Sequence, residues 1–263
     1  MRVWRADCAR CFGSRNFLAA VSSVLVLLFF SISAEPFFPA SLEWKSVYDF
    51  FSEIFIGMPV RMSLLVCSIP YGLSLCEDME YRYVYPVLSR QSIGAFLFRR
   101  MTVIFWSSWL VMVLALLFCV LILHHWAPWC DMSDTNYIIS VAENGWFYDA
   151  LMQKNGFLFF VVYSMEFAML PGTLSVLAAG VSIWITDRLL TLSIPFLVVY
   201  VTLDLSVAKG LSFLNIFQYY DVLGYAVEND FYIICKGILL TSTVFLMTCF
   251  VSCIGLKRRL SNG

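Results

Sequence analysis

The sequence predicts an all-α, polytopic membrane protein with six transmembrane helices. Three observations predict it. The chain is 61% hydrophobic and 13% charged, against roughly 25% charged residues in a soluble domain. Its mean hydropathy is +0.82. Its apolar residues gather into six stretches, and Lys and Arg collect on one side of them.

A helix needs about 20 apolar residues to cross the hydrocarbon layer. The stretches 17–33, 55–76, 101–123, 157–183, 189–203 and 231–256 supply them, the fifth being the shortest. The polar segments between them run to roughly 20 to 30 residues, too few for a core of their own. Residues 1–263 therefore form a single membrane domain.

The first stretch follows a basic run containing Arg2, Arg5, Arg10 and Arg15, as a secretory signal would. A cut after Ala34 would place Ile32 where a small residue is required, so the segment is expected to stay as the first span. Basic residues near span ends stay on the cytoplasmic side. With the amino-terminal segment inside, twelve of the 17 basic residues are cytoplasmic: Arg2, Arg5, Arg10, Arg15, Arg82, Arg90, Arg99, Arg100, Arg188, Lys257, Arg258 and Arg259. Lys45, Lys154 and Lys209 fall outside, while Arg61 and Lys236 sit where long stems snorkel to the outer interface. The expectation is a multi-pass protein of the cell membrane, embedded in the lipid bilayer, with both termini cytoplasmic. The net charge of -1 gives no case for a nucleic-acid partner.

Along the chain, residues 42–54 place Trp44, Val47, Phe51 and Ile54 at helical spacing, the pattern of a short amphipathic helix on the outer surface. Pro70 and Gly72 in span two predict a kink. Between spans two and three lies Glu77-Asp78-Met79-Glu80-Tyr81-Arg82, followed by aromatics, Pro86 and a basic stretch. Ser89 or Ser92 is expected to cap a surface-lying helix whose apolar face holds Ile93, Phe96 and Leu97. Trp126 and Trp129 open the next outer segment as an aromatic belt.

Glu166 stands within span four, where an ionised carboxylate costs about 2.5 to 3.5 kcal/mol at mid-helix. It lines a path or it is a hydrogen-bonded acid, and the residues leave both readings open. Pro171 and Gly172, one and a half turns later, predict a kink, as does Pro195 in span five. Residues 204–230 are too apolar for a solvated loop and too interrupted to cross, which predicts re-entrant or interface-lying helices. Cys8 and Cys11 have zinc-ligand spacing but no second pair completes the set, so no metal is assigned.

An acidic pair leaving span two, then an aromatic, Leu88-Ser89-Arg90, small residues, Phe96 and the basic pair Arg99-Arg100, is similar to the permease subunits of ABC transporters of the type-2 exporter class. The six-span count, the long third span, and Ser182, Asp187 and Pro195 through spans four and five also resemble that family. The resemblance implies that residues 81–100 form a coupling helix docked in a groove of a cytosolic ABC ATPase. Glu77, Asp78, Tyr81, Arg90, Phe96 and Arg99 are its expected docking residues, and Glu166 and Pro171 the expected substrate-path residues. It further implies short re-entrant helices before span six, a second permease copy or paralogue, and export. ATP and Mg would belong to the partner ATPase, since no stretch here matches the phosphate-cradling G-x-x-x-x-G-K-[ST] loop. This chain is expected to bind no cofactor and to be no enzyme.

Two readings from other classes compete. Residues 77–82 approximate a Glu-Glu-x-x-x-Arg motif of intramembrane proteases, which need His near the carboxylates. The histidines, His124 and His125, fall at the opposite end of span three. A non-catalytic immunity or assembly factor fits the composition as well.

Overall fold

A computed structural model describes residues 2–33, 46–48, 58–81, 83–129, 156–210, 215–220 and 230–261. All regular elements among the described residues are helical: α1 (Arg2–Phe12), α2 (Arg15–Ser33), α3 (Met58–Ser68), α4 (Ser74–Glu80), α5 (Val84–Leu88), α6 (Ile93–His124), α7 (Gly156–Phe167), α8 (Met169–Ser182), α9 (Arg188–Lys209) and α10 (Asp230–Ser261). A 3-10 turn covers Ile216–Tyr219. Four stretches are long and apolar enough to cross a membrane: α6, α7 with α8 taken together, α9, and α10 from Cys235 onward. The apolar parts of α2 and α3 are shorter, Arg15–Phe30 and Pro59–Ser68.

Several element bounds differ from the sequence expectation, each for a local reason. The surface helix expected from residue 93 is instead the first two turns of α6. Ser92 caps that helix, its side chain accepting from the Ala95 amide at 3.4 Å. No proline interrupts residues 93–124, and Phe96, Leu97 and Met101 are buried, so the helix runs unbroken from the basic stretch into the span. Span two is broken by turns over residues 69–73, around Pro70 and Gly72, which separates α3 from α4. Span four breaks at Ala168, three residues ahead of Pro171. Proline has no N–H, so the Phe167 carbonyl loses its usual partner four residues on. Span five extends past residue 203 to Lys209, where Gly210 ends it at φ 62°, the left-handed conformation favoured after a helix.

Helix α8 is the centre of the packing, in contact with α3, α6, α9 and α10. Small residues permit it. A Cβ on Gly172 would lie 2.8 Å from the Phe105 ring of α6, and one on Gly180 would lie 2.5 Å from Thr248 Cγ2 of α10. Close approach through small residues is how helices gain packing where lipid removes the hydrophobic drive between them. By contrast α9 and α10 keep large apolar side chains exposed, among them Leu197, Val201, Leu246 and Phe250, the composition of a lipid-facing surface.

Most of residues 42–54 lies outside the described residues, as do 130–155, 211–214 and 221–229, so the outer helices expected there are not described. Within the described part, the Val47 amide donates to the Pro128 carbonyl at 3.0 Å and Tyr48 to that of Trp129 at 3.3 Å. Trp129 stacks on His124 with centroids 3.6 Å apart, which closes the end of α6.

Candidate functional site

Helical geometry divides the acidic run of α4 between two neighbours. Glu77, Glu80 and Tyr81 are three and four positions apart and share one side, whereas Asp78 is rotated about 100° from Glu77. On the shared side stands Arg188, the first residue of α9. Its guanidinium donates to Glu80 Oε2 at 2.8 Å and to the Tyr81 hydroxyl at 3.1 Å, and lies 3.7 Å from Glu77 Oε1. Asp187 fixes that helix start by accepting from the Leu189 and Leu190 amides at 2.8 and 3.1 Å. Both partners of the Arg188 cluster are half-exposed, so it steers the contact more than it stabilises it.

Asp78 points the other way, into the protein. It accepts from Arg100, which also donates to the Tyr71 hydroxyl and to Asp7 Oδ1 at 3.1 Å. Arg99 donates to the other oxygen of Asp7 at 2.9 Å and to Gln91 Oε1 at 2.8 Å. One carboxylate on α1 is thus gripped by two consecutive arginines of α6, and the second of them also holds α4. Arg100 and both aspartates are buried. Ion pairs removed from water return little net stability, but breaking one leaves an uncompensated charge. Burial pushes the Asp78 carboxyl up to about 6, with Asp7 and Glu77 adding to the shift and Arg10 opposing it.

The expected docking residues consequently separate. Glu77, Tyr81 and Arg90 reach the surface; Asp78, Phe96 and Arg99 turn inward and hold the helices together. The reason is α6: once residues 93–100 belong to a long helix, Phe96 packs with Leu75, Leu97 and Met101. Tyr83 and Tyr85 are exposed beside Tyr81, and Arg90, Gln91, Tyr83, Pro86 and Val87 line a shallow cavity of about 440 Å³. Asp7 and Tyr71 were not anticipated. The available signal was that Asp7 is the single acid among four arginines of the amino-terminal fifteen residues.

Glu166 lies far from this junction, buried on α7. A Cβ on Gly237 of α10 would stand 3.4 Å from Glu166 Oε1 and 3.2 Å from the Tyr219 carbonyl oxygen. Lys236 Nζ is 4.8 Å from the centre of the Tyr219 ring, and the Tyr220 hydroxyl is 3.1 Å from Thr241 Oγ1. The carboxylate therefore belongs to a polar layer between α7 and α10. Pro171 is also buried, and its carbonyl accepts from the Ser175 hydroxyl at 2.7 Å.

His124 is 24 residues beyond Arg100 on the same helix, about 36 Å away along the axis. The geometry keeps it apart from Glu77 and Glu80. Among the described residues no three His, Cys, Asp or Glu side chains are placed to share a metal ion. Comparison with family models, curated proteins and solved structures finds no match for the chain.

Proposed function

We propose that the chain is the permease subunit of an ABC transporter of the type-2 exporter class, embedded in the cell membrane with both termini cytoplasmic. On this reading α2 and the segment ending in α3 are the first two of six crossings. A cytosolic ATPase subunit supplies ATP and Mg chemistry, and a second permease copy or paralogue completes the substrate path.

One observation carries the reading: the segment from α4 to α5 exposes tyrosines while the carboxylates of α4 are tied to two long apolar helices. Tyr81, Tyr83 and Tyr85 are exposed, and Arg90 stands beside them. Behind them, Asp78 is held by Arg100 of α6 and Glu80 by Arg188 of α9. A partner that moves this segment moves α6 with it, because stretching the buried Asp78–Arg100 pair costs more than tilting a helix against lipid, while the half-exposed Arg188 contact orients the segment on α9. Closure of the ATPases on ATP is the movement, and reopening of the path between two permeases the result. Glu166 lies along that path, and the break ahead of Pro171 is where span four bends.

The test is purification from host membranes in mild detergent with identification of co-purifying proteins. An ABC ATPase subunit is expected, and it should be lost on Tyr83→Asp with Arg90→Glu while the permease stays monodisperse. Retention of the ATPase by that variant, or purification of the wild type with no ATPase, overturns the proposal.

A further inference from the structure

A cavity of about 560 Å³ opens where α8 and α10 end, between them and α5. Arg258 and Arg259 line its polar side, Trp184, Leu256 and Leu260 its apolar side, and no carboxylate lines it among the described residues. Trp184 packs against Gly255, where a Cβ would come within 2.7 Å of the indole Cζ2. Arg259 donates to the Ile183 carbonyl at 2.8 Å. That bond pairs one carbonyl at the negative end of α8 and holds the Arg259 guanidinium at the cavity.

A second hollow, of about 260 Å³, begins at the same Trp184 and runs between α8 and α10. Its walls are nearly all apolar, with Leu177, Val181, Met247 and Val251 on either side of the close contact at Gly180. Val181, Met247 and Val251 are exposed along it, so the groove is open to the surrounding lipid. The two hollows share the Trp184 indole as a wall, which sets a cationic recess beside a hydrocarbon-lined groove. Trp favours this boundary in a bilayer, and basic recesses between spanning helices suit anionic headgroups.

We propose that this site holds one anionic phospholipid, its phosphate on Arg258 and Arg259 and an acyl chain along the α8–α10 groove. The proposal rests on membrane embedding and on no partner ATPase. The groove walls belong to the central helix and to one of its lipid-exposed neighbours, so the lipid fills a gap that packing of α8 against α10 leaves open.

The experiment uses the delipidated full-length protein in mild detergent. Its thermal transition is followed during titration with phosphatidylglycerol, with phosphatidylcholine of the same chains, and with glycerol 1-phosphate. A saturable rise is expected with phosphatidylglycerol alone. Arg258→Gln should weaken it about fivefold, as for one basic residue at a charged membrane surface. Lys257→Gln removes the same charge from the neighbouring position, which does not line the cavity, and should leave it unchanged. Val251→Trp, which fills the groove, should weaken it as well. If Arg259→Gln destabilises the fold through its bond to Ile183, the Arg258 and Val251 variants still decide. Equal response to phosphatidylcholine, equal weakening by Lys257→Gln, or no effect of Val251→Trp each overturns the proposal. So does a full response to glycerol 1-phosphate, which would mean that a free anion suffices.

Discussion

Arg100→Met is the most informative perturbation of the junction. Arg100 is 3% exposed, and it donates to Asp7, Asp78 and Tyr71, so its removal leaves the buried Asp78 without its cation while Asp7 keeps Arg99. Methionine preserves most of the apolar stem, so the loss is mainly electrostatic. Breaking such a pair from one side costs about 3 to 5 kcal/mol, or roughly 6 to 20 °C in the thermal transition at about 2 to 4 °C per kcal/mol. Part of the cost is avoidable by protonating Asp78, whose carboxyl is pushed up to about 6 by burial. The deficit of Arg100→Met should thus be larger at pH 8 than at pH 5. Adding Asp78→Asn to Arg100→Met removes the uncompensated charge, leaves the Asp7–Arg99 pair in place, and should restore more than half of the lost stability, whereas a purely steric defect would persist. The assay is thermal unfolding of the detergent-purified protein across that pH range. A single variant within about 1 kcal/mol of wild type, or a double variant no better than the single, contradicts this account.

Three further outcomes are expected. Gly180→Val sets a Cβ 2.5 Å from Thr248 Cγ2 and should destabilise by about 1 to 3 kcal/mol through overpacking of α8 against α10, whereas Gly94→Ala, with nothing within 4 Å, should be neutral in the same melt. Asp187→Ala removes the acceptor for two amides at the start of α9 and should cost about 1 kcal/mol, with faster amide exchange at Leu189 and Leu190 as the direct readout. Asp78 has a folded-state value raised from 3.8 to about 6, so the folded protein holds the extra proton; its stabilising share is full below 3.8 and is lost as pH rises through about 6. The stability of wild type relative to Asp78→Asn should accordingly grow as pH falls from about 7 to about 4, and a pH-independent difference would contradict the burial of that carboxyl.

Much of the architecture was legible one segment at a time. Transfer of apolar side chains into hydrocarbon sums along the chain, so the membrane class, the helices and the basic ends follow from composition and spacing near each residue. The same locality explains the errors. The absence of a breaker between residues 93 and 124 was readable, yet the chemistry of Arg99 and Arg100 looked like a boundary, because the acid that accepts them is Asp7, 92 and 93 positions earlier. Likewise the run Glu77, Asp78, Glu80 looked like one polar surface. Helical rotation alone says that it faces two ways, but not which cation stands on each side.

What the sequence by itself determined is the solvent, the helical class and the basic end of the bundle, since each is a sum of local terms. Only the tertiary structure decided that Asp78 faces Arg100 while Glu77 and Glu80 face Arg188, and that Phe96 and Arg99 turn inward. It also set the recess at Arg258 and Arg259 beside a groove between α8 and α10, with Trp184 lining both. Each of these depends on which faces of distant helices meet, and that choice is made by close packing at positions such as Gly172 and Gly180, not by the composition of either helix alone.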